Sequence, residues 1–173
     1  MIKVMVAYAT KMGATGEIAE AIGDELRSAG FEVTVSNAID VHTLDGYDAA
    51  VIGSAVYMAR WRPEAVELLT RQAKSGSSIP IWIYQSGPLS TVEDGTNPAV
   101  PGKVRDLAAR IGTAPPATFG GRVEPATAKG FLARKMAAGP GGGDYRDFDE
   151  IRRWAGGIGA QLAERAPRVP TTS

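Results

Sequence analysis

Cysteine is absent from the chain, and histidine occurs once, at His42. The first absence removes disulfide frameworks, thiol catalysis, cysteine-ligated metals and iron–sulfur clusters together. His42 follows the second expected strand, away from where ligands collect in the fold argued below, and is expected at the surface. An excess of one charge is also missing, since Lys plus Arg and Asp plus Glu each total 19. That balance argues against a nucleic-acid partner and against a carrier that docks through a strongly acidic face. Long apolar runs are lacking too. Met1-Ile2-Lys3 leads straight into a strand-length apolar segment, and no stretch approaches the roughly 20 apolar residues of a membrane span. A soluble, cytoplasmic protein is expected, with one domain over residues 1–165 and a frayed tail over 166–173.

What the chain does contain is a regular alternation. Continuous apolar runs bounded by turn residues predict buried strands at 2–9, 48–54, 79–85 and 117–124, and the more alternating segment 31–36 predicts an edge strand. Between them lie helical faces: Ile18, Ile22 and Leu26; Val66, Leu69 and Ala73; Val104, Leu107, Ala108 and Ile111; Ile151, Trp154, Ile158 and Leu162. Pro63 and Pro101 stand where a first helical turn tolerates proline, and Gly30 and Gly112 stand where helices end. Asp147 and Glu150 form a capping pair for the last helix. The alternation predicts an α/β protein with a mostly parallel sheet, right-handed crossovers and helices on both faces. Trp82 and Trp154 fall within these apolar patterns and are expected in the core. Segments 86–97 and 125–146 fall outside the rhythm, the second containing "AAGPGGGD".

A parallel sheet gathers the C-terminal ends of its strands along one rim, and ligands sit there at the point where strand order reverses. Three loops leave that rim, at 10–15, 53–61 and 86–97, each beginning with small or hydroxyl residues. In Thr10-Lys11-Met12-Gly13-Ala14-Thr15, backbone N–H groups and two hydroxyls at a helix N-terminus suit a phosphate, and Gly13 lets the backbone close on it. The ending GK[ST] of a triphosphate loop is missing, and Gly13 and Gly16 alone do not make the G-x-G-x-x-G dinucleotide pattern. On these residues alone, an anion cradle and a plain β-to-α turn are equally good readings.

The pattern T-x-x-G-x-T after the first strand resembles the FMN phosphate loop of the flavodoxin superfamily. "VIGSAVYMARWRPEAVELL" (51–69), "FGGRVEP" (119–125) and "DYRDFDEIRRWA" (144–155) resemble the branch of that superfamily typified by menaquinone-dependent protoporphyrinogen oxidases. Together these pieces span nearly the whole chain. The resemblance implies a three-layer flavodoxin-like fold, with a five-stranded parallel sheet of order 2-1-3-4-5 and non-covalent FMN at the rim. Carried over residue by residue, it implies that Thr10, Lys11, Met12, Gly13, Ala14 and Thr15 hold the phosphate. Ser54, Ala55, Val56, Tyr57 and Met58 would border one side of the isoalloxazine, and Ser86, Gly87 and Pro88 the other.

The flavin supplies the redox chemistry, so no residue is named as catalytic. Tyr57 is expected to touch the ring, whereas Trp61 either flanks it or packs as a staple on the next helix. Arg60 and Arg62 are expected to solvate the helix entry, and Asp94-Gly95 to form a turn in a lid. Lys129, Phe131, Leu132, Arg134, Lys135 and Met136 form a short basic and apolar stretch, and the resemblance places it where the oxidase branch has a region longer in aromatic and basic character. It fits a solvated turn at least as well as a peripheral membrane contact.

The implied function is that of an FMN-dependent oxidoreductase linked to a quinone or a protoporphyrinogen. The alternative is a flavodoxin-type electron carrier served by a reductase. A response-regulator receiver shares the sheet order but needs carboxylates where this chain has Ala9-Thr10 and Gly53-Ser54, and Asp48 lies at the wrong end of its strand.

Overall fold

The computed structural model describes residues 1–11, 13–87, 99–123, 143–144 and 146–167. Five parallel strands form the central sheet: β1 (Lys3–Ala9), β2 (Glu32–Asn37), β3 (Ala49–Tyr57), β5 (Ile81–Gly87) and β6 (Ala117–Gly120). Their spatial order is β2-β1-β3-β5-β6, which is 2-1-3-4-5 when the parallel strands are counted along the chain. A two-residue strand, β4 (Arg60–Trp61), pairs antiparallel with the end of β3. Strands β7 (Arg122–Val123) and β8 (Gly143–Asp144) form a separate antiparallel pair.

Side chains alternate between two cores because successive strand residues face opposite sides of the sheet. From β1, Met5, Ala7 and Ala9 enter one core while Val4 and Val6 enter the other; Ala50 and Ile52 of β3 divide from Ala49 and Val51 in the same way. Helices α2 (Pro63–Ser75) and α3 (Gly102–Ile111) cover the first face, and α1 (Ala14–Ser28) and α4 (Phe148–Arg165) cover the second. The expected apolar stripes are the ones buried: Ile18, Ile22 and Leu26 of α1 are inaccessible to solvent. Each such side chain contributes about 1.5–3 kcal/mol of transfer free energy.

The caps follow the local chemistry. Pro63 occupies the first turn of α2, and Gly112 closes α3 in the left-handed conformation. Asp147 accepts hydrogen bonds from the backbone N–H groups of Asp149 and Glu150 at the head of α4. Pro101 stands one residue earlier than expected, as the N-cap of α3.

Several boundaries differ from the apolar pattern. β3 runs to Tyr57, three residues past its expected end, because β4 folds back on it with Val56 opposite Trp61 and Tyr57 opposite Arg60. β5 likewise includes Ser86 and Gly87, held by pairing with Phe119 and Gly120 of β6. The expected fifth strand breaks after Gly120, where Gly121 donates its N–H to the Gly87 carbonyl. Trp82 and Trp154 pack against the second core but remain half-buried.

Candidate functional site

The register of the sheet brings three chain segments to one rim. Ala9 lies beside Ser54, Ala55 beside Ser86, and Gly87 beside Gly120, so the ends of β1, β3 and β5 reach the same level. α1 rises from that rim directly after β1. Its N-cap is Gly13, at φ +92° and ψ −19°, a conformation that disfavours residues carrying Cβ. The Gly13 N–H donates to Thr10 Oγ1 at 2.9 Å. A hydroxyl that accepts through a lone pair keeps its own proton to donate. A glycine N-cap carries no side chain to satisfy the first-turn amides of α1, and the space around its missing Cβ is open.

Thr15 is buried in the first turn of α1, and its hydroxyl lies 2.9 Å from that of Ser86, also buried. This bond joins the loop after β1 to the end of β5, residues separated by 71 positions in the chain. Beneath it stands Tyr84, fully buried, with its hydroxyl 3.5 Å from the Thr15 carbonyl oxygen. Burial, with a smaller contribution from Tyr8, pushes the Tyr84 phenol far above its ordinary range, so it stays a neutral donor. Tyr84, Phe119 and Trp154 form an aromatic cluster with ring centroids 5.5–6.0 Å apart. Gly53 makes room for it, since a Cβ there would lie 2.0 Å from the Tyr84 ring.

Along β3, Ser54 is buried, and its hydroxyl is engaged on both sides: it donates to the Ala55 carbonyl and accepts from the Arg62 N–H, each at 2.9 Å. Val56 is buried in the first core, while Ala55 and Tyr57 are half-buried. Met58 and Ala59 turn the chain into β4 with φ values of 51° and 59°, and the Met58 side chain is exposed. Non-glycine residues rarely adopt such values, and backbone strain of this kind concentrates at functional sites. Lys11 reaches across from the first loop and places Nζ 3.9 Å from the centroid of the Tyr57 ring.

Trp61 is buried and donates its indole N–H to Gln85 Oε1 at 3.0 Å, and Gln85 in turn donates to Thr118 Oγ1. Of the two expectations for Trp61, packing holds: it is a strut under β3 and β5. Arg62 lies 3.5 Å from Glu64 at the head of α2, and His42 is exposed. Met12, Pro88, Asp94-Gly95 and residues 129–136 lie outside the described residues.

Beyond Gly13 a groove of about 600 Å³ runs along α1 past Glu17, Glu20, Asp24, Phe148 and Arg152. Three of its carboxylates are engaged from within the chain. Arg146 pairs with Glu17, and Arg27 lies 2.8 Å from Asp24 and 3.7 Å from Glu20. Among the described residues no helix is long and apolar enough to cross a membrane, and no cluster of His, Asp and Glu could hold a metal ion.

A family model described as "Flavodoxin domain" matches residues 5–126. Protoporphyrinogen IX dehydrogenase (quinone) of Escherichia coli strain K12 is 27% identical over 85 residues, which are 48% of this chain and 47% of that protein. The chain thus matches about half the length of the curated relatives.

Among solved structures, a flavodoxin from the domain Archaea superposes with a TM-score of 0.65 at 16% identity, covering 94% of this chain and 99% of that one. A short-chain flavodoxin associated with a non-canonical PDU bacterial microcompartment gives 0.66 at 16%, with the same coverages. The rubredoxin oxygen:oxidoreductase of Desulfovibrio gigas gives 0.63 at 12%, covering 94% of this chain and 36% of that one. These likenesses establish the fold.

Proposed function

The chain belongs to the flavodoxin-domain family, and on that premise we propose that it binds FMN at the rim and acts as an oxidoreductase on a quinone or a protoporphyrinogen-like substrate. The observation that carries the FMN reading is the buried Thr15–Ser86 hydroxyl bond beside a glycine-capped helix. It holds the phosphate-type loop and the end of β5 together at the switch point between β1 and β3. The residues present fit a phosphate monoester: the first-turn amides of α1 lack a side-chain cap, the Thr10 hydroxyl retains its proton, and the helix dipole favours an anion there.

Bound FMN supplies the electron chemistry. The chain's own residues do the rest. Thr10, Gly13, Ala14 and Thr15 grip the phosphate through backbone and hydroxyl donors, with Lys11 and Met12 completing the loop. Tyr57 and Met58 border the ring on one side, and Ser86, Gly87 and Pro88 on the other. Ser54 acts indirectly, by tying the β3 end to the start of α2 through Arg62.

The substrate class rests on the relative named protoporphyrinogen IX dehydrogenase. A carrier that docks through unpaired acidic residues is the less favoured reading. The formal charge balances to zero, and carboxylates beside the loop already pair with Arg27 and Arg146. The test is purification followed by identification of the flavin released on heating, then an assay of protoporphyrinogen and quinol oxidation with quinone acceptors. Turnover by FMN-loaded protein supports the proposal. Full loading without turnover, combined with rapid electron exchange with a reductase, favours the carrier.

A further inference from the structure

The first loop's one cation, Lys11, lies against an aromatic ring at the end of β3. Lys11 stands between Thr10, which receives the Gly13 N–H, and the head of α1, yet its ammonium lies over the Tyr57 ring at 3.9 Å. Both side chains are half-buried, so the pair is partly withdrawn from water, where attraction between a cation and an aromatic face is stronger. Tyr57 is well placed to hold it. It is the last residue of β3, paired across to Arg60, and the tight turn at Met58 and Ala59 follows at once.

We propose that Lys11 sets the reduction potential of bound flavin, its ammonium being held by Tyr57 at the ring end of the site rather than at the phosphate end. This inference rests on the FMN reading above. An oxidised isoalloxazine is neutral, and two electrons with one proton leave it with a single negative charge. A cation beside the ring therefore favours the reduced form over the oxidised one. The phosphate carries the same charge in both forms, so a cation committed to it strengthens both equally. Partial burial makes the difference large enough to measure, because screening by water is incomplete there. A raised potential suits a flavin that takes an electron pair from an organic substrate and hands it to a quinone.

The experiment compares wild type, Lys11→Met, Lys11→Arg, Tyr57→Leu and Arg60→Gln. Dissociation constants for FMN and riboflavin come from flavin fluorescence, and the two-electron midpoint potential comes from slow enzymatic reduction against a reference dye. Lys11→Met is expected to weaken reduced FMN about tenfold relative to oxidised FMN, which lowers a two-electron midpoint by about 30 mV. Lys11→Arg should restore most of that shift. Tyr57→Leu should move the potential in the same direction as Lys11→Met although it leaves the charge in place.

An unchanged potential in Lys11→Met, with FMN affinity lost and riboflavin affinity kept, makes Lys11 a phosphate ligand and overturns the inference alone. A shift in Arg60→Gln as large as in Lys11→Met also overturns it, because the effect is then one of general surface charge. A wild type that binds no flavin overturns the FMN reading and this inference with it.

Discussion

Gly53 and Tyr84 divide one space between them, and the division extends to the rim. The ring of Tyr84 fills what a side chain at position 53 would need, and its hydroxyl lies beneath the carbonyl of Thr15 in the first turn of α1. Gly53→Ala should therefore cost about 3 kcal/mol in a urea denaturation midpoint analysis, the upper end of what overpacking costs. The same substitution at the exposed Gly157, where nothing lies near the added methyl, should stabilise α4 or leave it unchanged. Gly13 answers a different need, for positive φ rather than for space. Gly13→Val should keep the fold and weaken FMN binding about tenfold or more, since a left-handed residue with a Cβ costs about 1–2 kcal/mol. Equal FMN affinity in Gly13→Val would separate the phosphate from this loop. Gly13 could be singled out in the sequence because turn chemistry is local. The role of Gly53 could not, because the ring that needs it is 31 positions away.

At the scale of elements, the apolar periods and caps were legible because each is written in adjacent residues. Ile18, Ile22 and Leu26 predicted the buried face of α1, and Asp147 predicted the start of α4. Ile22→Ala should lower stability by about 2–5 kcal/mol, as truncation of a fully buried aliphatic chain does. The hairpin joining β3 to β4 was not legible. A two-residue strand has no period to detect, and Met58-Ala59 lacks the Asn-Gly or Asp-Gly pair that announces a tight hairpin turn. The place of Trp61 was hidden for the same reason, since the pairing of Val56 with Trp61 accompanies the hydrogen bond from its indole to Gln85. The turn makes its own prediction. Ala59→Gly relieves a positive φ and should raise thermal stability by about 1 kcal/mol. A lower melting temperature for that variant would mean that the turn stores no strain.

For the whole molecule, the alternation of strands and helices predicted a mostly parallel sheet with right-handed crossovers, and the resemblance to the flavodoxin superfamily implied the strand order that the sheet has. The convergence of the rim loops was legible as a consequence of the parallel sheet. The contacts that give it substance, Thr15 with Ser86 and Lys11 with Tyr57, join residues far apart in the chain and had no local signal. The balance of 19 basic and 19 acidic residues conceals a pattern that the fold reveals, with carboxylates along the groove beside α1 met by Arg27 and Arg146.

The central claim is that this rim holds the phosphate of FMN. Its most direct test is titration of the purified chain, cleared of any bound flavin, with FMN and separately with riboflavin, followed by flavin fluorescence. Saturable quenching at one site per chain is expected, with much tighter binding of FMN than of riboflavin and with that preference diminished in Gly13→Val. Fluorescence that stays unquenched with both flavins, or equal affinity for the two, would contradict it.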